Sequence, residues 1–85
     1  MPQYLRLDEA TSTLGKLIGD NTRRRRSELS MTQAELAERT GIAASHLSYI
    51  EHGKANPTLE VLEHLAEGLG WSIIDLLSGA NDLGS

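Results

Sequence analysis

Three groups of side chains have types and spacing suited to chemistry. Arg23, Arg24, Arg25 and Arg26 are consecutive and offer planar cations for phosphate or carboxylate. Glu60, Glu63 and Glu67 recur three and four residues apart, which makes a carboxylate stripe along one side of a helix. His46, His52 and His64 are the remaining candidates for metal ligation or proton transfer. Hydrolysis would need clustered acids for a metal, or a His/Ser/Asp constellation, and a lone glutamate stripe is solvated surface. No two of the histidines stand at i, i+3 or i+4, so no helical metal pair is expected. Cysteine is absent, which removes thiolate nucleophiles, disulfides, iron–sulfur clusters and cysteine-type zinc sites, and favours a cytoplasmic location. No enzymatic activity, metal or cofactor is therefore expected. The arginines remain. Successive helical residues stand about 100° apart, so at most two of the four can face one partner. Arg23 and Arg26 share a face, and Arg24 is expected to point to water.

Their distribution matters because the 85-residue chain is acidic, with a formal charge of −4. Arg6 and Lys16 balance Asp8 and Glu9. Residues 19–54 hold the arginine run, Arg39 and Lys54 against Asp20, Glu28, Glu35, Glu38 and Glu51. The last third carries Glu60, Glu63, Glu67, Asp75 and Asp82 with no Lys or Arg. Such asymmetry suggests two working faces. A length of 85 residues admits one small domain, and 39% hydrophobic with 24% charged residues is ordinary for a globular one. No apolar run is long enough for a membrane span, and the N-terminus lacks the order of a signal peptide.

Five helices are expected, and no strand. Residues 1–12 carry no clear period and are expected to form a flexible leader or arm. Helical spacing begins at residue 13 and runs to 29, with Leu14, Leu17 and Ile18 sharing a face, although Gly15 and Gly19 each weaken a helix by roughly 1 kcal/mol. Thr32 and Glu35 form a capping box that opens a short helix, and Gly41 supplies the turn behind it. Ile42, Leu47 and Ile50 mark the inner face of a third helix, over about 44–52. Asn56-Pro57-Thr58 breaks the chain and caps a fourth helix through Leu59, Leu62, Leu65, Ala66 and Leu69. Ser72 and Asp75 open a fifth. The domain is expected over 13–78, with a frayed tail at 79–85.

Two helices of about eight residues joined by a tight glycine turn have helix-turn-helix geometry. The stretch MTQAELAERTGIAASHLSYIEHGKANPTLEVLEHLAEGLG closely resembles the phage-repressor and Cro-type (XRE) family of helix-turn-helix regulators. The resemblance covers about Ile18 to Leu77, with the motif at about 32–51. Its marks are Thr32-Gln33, Glu35-Leu36-Ala37, Gly41, Leu47, Ile50-Glu51, Gly53, Asn56-Pro57, the leucines of 59–69 and Ile73 with Leu76-Leu77. No single mark is specific; their order and register together are.

The resemblance implies an all-α, five-helix domain that binds double-stranded DNA, as a repressor occupying a palindromic operator as a homodimer. By position, Ala43, Ala44, Ser45, Ser48 and Tyr49 fall where the family reads bases. Arg23, Arg26, Gln33, His52, Lys54 and Asn56 fall toward the phosphates, and Arg26 with Glu51 where some phage repressors place a partly buried ion pair. Trp71, Ile74 and Leu77 are expected to form the dimer surface, with Leu83 beside them. Two alternatives stand: a controller protein of a restriction-modification system, or an antitoxin that represses its own operon and holds a toxin through its N-terminal segment or the acidic fourth helix. The chain departs from the family at Thr22 and Arg25, where apolar residues are usual, and at Ala43, where Ser or Thr usually caps. Ala44 and Ser45 stand where longer hydrogen-bonding side chains would grip bases, leaving thymine-methyl contact, a serine bond and Tyr49 for direct readout.

Overall fold

The computed structural model describes the backbone of residues 7–80 and the side chains of residues 13–80. Its five helices are α1 (Leu7–Glu28), α2 (Gln33–Thr40), α3 (Ala44–Glu51), α4 (Leu59–Gly68) and α5 (Ile73–Ser78), and the described residues contain no strand. Local chemistry sets most boundaries. The Thr32 hydroxyl accepts from the Glu35 amide at 3.0 Å, while the Thr32 amide donates to the Glu35 carboxylate at 2.8 Å. Ser72 and Asp75 repeat the arrangement at α5, and Thr58 caps α4 alone. Gly41 ends α2 at φ 78°, a left-handed conformation that a Cβ would strain. Thr40 adds a bond that the sequence pattern does not announce. Its hydroxyl donates to the Leu36 carbonyl at 2.8 Å and accepts from the Ile42 amide at 3.1 Å, tying the turn to α2.

Two boundaries differ from expectation. α1 begins at Leu7, inside the segment expected to be a leader; residues 1–6 lie outside the described part, as does Leu83. At the other end, Gly79 caps α5 and Ala80 packs against the core, so the ordered domain extends into the expected tail.

α2 and α3 pack together, α1 lies against α3 and α5, and α4 lies against α2 and α5. Leu36, Leu47, Ile50, Leu65, Leu69 and Leu76 close the shared centre, each fully or almost fully buried. α1 is turned differently from its leucine pattern. Ile18 is buried, but Leu14 and Leu17 are 51% and 43% exposed. The two glycines explain the rotation. A Cβ at Gly19 would stand 2.5 Å from the Ile50 carbonyl oxygen and 2.9 Å from that of Glu51, and one at Gly15 would crowd the carbonyls of Gly53 and Ala55. The glycine side is therefore the one that meets the end of α3, and the leucines turn outward. Thr22, on this inner side, is fully buried, and its hydroxyl is the only buried side-chain polar atom without a partner among the described residues.

These contacts predict opposite outcomes for two small substitutions. Gly19→Ala adds helix propensity but forces α1 from α3, and is expected to cost about 1–3 kcal/mol net. Thr22→Val replaces an unpartnered hydroxyl by a methyl group of similar size, and is expected to stabilise by about 1 kcal/mol. Urea unfolding of both variants measures the two signs.

Candidate nucleic-acid interface

α3 owes its position to a buried carboxylate. Glu51, in its last turn, is 3% exposed. Arg26 of α1 meets it with two parallel bonds, Nε to Oε2 at 2.7 Å and Nη2 to Oε1 at 2.9 Å. Gln33, the first residue of α2, donates its amide to Oε1 at 3.1 Å. Arg26 also donates to the Met31 carbonyl at 2.9 Å, which fixes the link between α1 and α2. One carboxylate thus joins three helices. The hydrogen bond to Glu51 raises the Arg26 guanidinium above its ordinary value, against the opposing effect of burial. A raised value in the fold means that this stabilisation is complete at lower pH and fades only in strong alkali.

The other arginines also bond within the domain. Arg23 donates to the Glu51 carbonyl at 3.2 Å and pairs with Asp20 at 2.8 Å. Arg24 is exposed, as expected, but also donates to the Gly79 carbonyl at 3.0 Å. Arg25 donates to the Leu69 carbonyl at 3.0 Å, and its guanidinium lies 5.1 Å from the centre of the Trp71 ring. Arg23, Arg24 and Arg25 therefore bind carbonyls at the C-terminal ends of α3, α5 and α4, where the backbone lacks partners and the helix dipole favours a cation.

With its inner side so held, α3 presents a different chemistry outward. Leu47 and Ile50 are buried, while Ala43, Ala44, Ser45 and His46 are exposed, Tyr49 is 55% exposed and Ser48 half-buried. Ala43 gives α3 no side-chain cap. Lys54 and Asn56 are exposed in the loop after α3, and the His52 ring nitrogen Nδ1 lies 2.7 Å from the Ser48 carbonyl. Of the residues expected at phosphates, then, Lys54, Asn56 and His52 are open to solvent, Arg23 is partly engaged, and Arg26 and Gln33 are held by Glu51. Trp71, Ile74 and Leu77 do not make a common exposed surface. Trp71 is buried beneath Arg25 and Leu77 packs against the core, so only Ile74, 73% exposed, stands free. The arginine destinations carried no local signal, because each acceptor carbonyl belongs to a helix remote in sequence.

This geometry agrees with what the chain resembles elsewhere. A family model described as helix-turn-helix matches residues 23–76, and the chain belongs to that family. An HTH-type transcriptional regulator of Sinorhizobium fredii, y4dJ, is 39% identical over 67 residues, covering 79% of this chain and 87% of its own. The immunity repressor of Bacillus phage phi105 is 38% identical over 53 residues, 62% of this chain and 37% of the repressor. Among solved structures, the clp gene regulator ClgR of Corynebacterium glutamicum superposes with a TM-score of 0.74 at 30% identity, over 78% of this chain and 70% of that one. The chain is a transcriptional regulator with a helix-turn-helix DNA-binding domain, and the family is not enzymatic. No helix among the described residues is long and apolar enough to cross a membrane.

Removing one partner of a buried ion pair costs far more than removing an exposed one. Glu51→Ala is expected to lose about 3–5 kcal/mol of stability in urea unfolding. Glu51→Gln, which still accepts a hydrogen bond, is expected to lose less. A loss below about 1 kcal/mol for Glu51→Ala would place the pair among surface bridges.

Proposed function

We propose that this chain is a cytoplasmic repressor that occupies a palindromic operator as a homodimer, with α3 in the major groove. The observation that carries this reading is the division of α3. Its inner side is fixed by Glu51 and the core, and its outer side is exposed, carries no Lys, Arg or acid, and is small at Ala43, Ala44 and Ser45. A helix held so firmly can be pressed close to base edges without reorienting. Ala43 and Ala44 suit thymine methyl groups, Ser45 and Ser48 supply short hydrogen bonds, and Tyr49 is the one large side chain for the groove.

Gln33 sits at the N-terminus of α2, where the helix end favours an anion, and its amide would approach phosphate while still oriented by Glu51. Arg26 acts in this reading as a positioning residue, so the counterions are displaced chiefly by Arg23 and Lys54, with His52 and Asn56 contributing hydrogen bonds. Asp20 competes for Arg23, which must exchange one carboxylate for a phosphate. The acidic residues Glu60, Glu63 and Glu67 are exposed on α4, away from the motif in this pose.

Two charged contacts per protomer imply a log–log salt slope near −4 for a dimer. Lys54→Ala is expected to flatten it by about two units and to weaken every duplex alike. Tyr49→Ala is expected to leave the slope unchanged and to reduce discrimination by roughly 1–3 kcal/mol. Titrations at several salt concentrations, on a duplex selected from a random library and on unselected duplex, measure both. Equal losses on the two duplexes for the Tyr49 variant would remove it from base reading.

A further inference from the structure

The outer side of α3 holds methyl groups and hydroxyls and little else. By helical geometry Ala44 and Ser48 stand about 40° apart, as do Ser45 and Tyr49, so two strips run side by side along the helix. The first offers a methyl group and a hydroxyl, the second a hydroxyl and a phenol ring. Ala44 and Ser45 are exposed, Ser48 is half-buried and Tyr49 is 55% exposed. Ala43, exposed just ahead of the helix, adds a second methyl group. His46 is the one nitrogen-bearing side chain of α3, and it lies about 160° around the helix from Ala44.

This set of groups has a particular blind spot. A hydroxyl both donates and accepts, so it meets a keto oxygen or an amino group alike. Carboxamides and guanidinium groups hold their donors and acceptors in fixed places and therefore tell the two apart. In the major groove thymine presents the O4 acceptor and a C5 methyl group, whereas cytosine presents the N4 amino group and no methyl. The hydroxyls of Ser45, Ser48 and Tyr49 accommodate either polar group. What remains to separate the two pyrimidines is the methyl, which Ala44 meets by apolar contact and Tyr49 by its ring. A cytosine methylated at C5 carries that same methyl group at the same place in the groove.

We infer that α3 recognises the C5 methyl of pyrimidines as a class, so that operator binding responds to methylation of cytosine. This recognition presupposes α3 in the major groove, the reading given above, and adds to it the chemical mark that binding detects. Moving one methyl group from water into apolar contact is worth about fourfold in affinity. At a contacted position thymine and 5-methylcytosine both bind above cytosine, and the unmethylated and methylated forms of one site differ by about that factor.

Titration of the unaltered chain against variants of one duplex, selected from a random library, tests this without any change to the protein. Replacing every thymine by deoxyuridine removes the methyl groups and keeps all base pairing. It is expected to weaken binding to the selected duplex at least tenfold and to leave an unselected duplex unchanged. At the thymine with the largest single effect, a C·G pair is expected to lower affinity and its 5-methylcytosine form to recover about fourfold. Ala44→Gly, shown to be folded by circular dichroism, is expected to shrink the thymine-to-deoxyuridine ratio about fourfold per half-site; a loss of stability alone leaves that ratio unmoved. Equal binding of the thymine and deoxyuridine duplexes by the parent overturns the inference and leaves α3 as the groove helix. So does a 5-methylcytosine duplex bound no better than its cytosine form, and an unchanged ratio in Ala44→Gly overturns the role of Ala44. A chain that enriches no duplex removes the operator reading, and methyl recognition with it.

Discussion

A carboxylate taken almost wholly out of water governs this domain. An isolated buried charge is costly, and Glu51 is tolerated because Arg26 meets it with two parallel bonds and Gln33 supplies a third. Those partners come from α1 and α2, while Glu51 belongs to α3. Satisfying one charge therefore sets the mutual positions of three helices. The apolar core packs the same elements, but leucines tolerate small slides and rotations that a two-pronged ion pair does not. The pair supplies direction where hydrophobic burial supplies most of the stabilisation.

The arginine run extends the same logic. A chain with four adjacent arginines invites the reading of a basic patch, yet the structure sends their bonds to Glu51 and to carbonyls at three helix ends. Short helices end with several unsatisfied carbonyls each, and α2 to α5 have between 6 and 10 residues. Cations on one long helix that reach those ends satisfy the carbonyls and oppose the negative ends of the dipoles together. Four of the eight Lys and Arg residues of the chain are thus used in holding the fold. What α3 shows outward is small and nearly neutral, so sequence preference would come from shape and close approach more than from long polar side chains.

α1 connects these roles. Its glycine side admits the end of α3, its arginines bind the ends of three other helices, and its leucines remain on the side away from α3. The price in helix propensity at Gly15 and Gly19 is offset by an approach that no side chain would permit.

The sequence by itself determined the features that depend on near neighbours. The capping boxes at Thr32–Glu35 and Ser72–Asp75, the glycine turn at Gly41 and the spacing of Leu36, Leu47, Ile50, Leu62, Leu65 and Leu69 are local, and from them the helix order and the helix-turn-helix follow. The small residues on the outer side of α3 were legible for the same reason, since its inner face was fixed by Leu47 and Ile50. Only the tertiary structure decided how α1 is rotated. Leucines 14 and 17 and glycines 15 and 19 are competing faces of one helix, and a spacing rule favours the leucines; the carbonyls at the end of α3 favour the glycines. The resemblance anticipated the Arg26–Glu51 pair, but the structure alone decided which carbonyls Arg23, Arg24 and Arg25 reach and that Trp71 lies beneath Arg25, because those partners stand between 28 and 55 residues apart in the chain and meet only when the helices are packed.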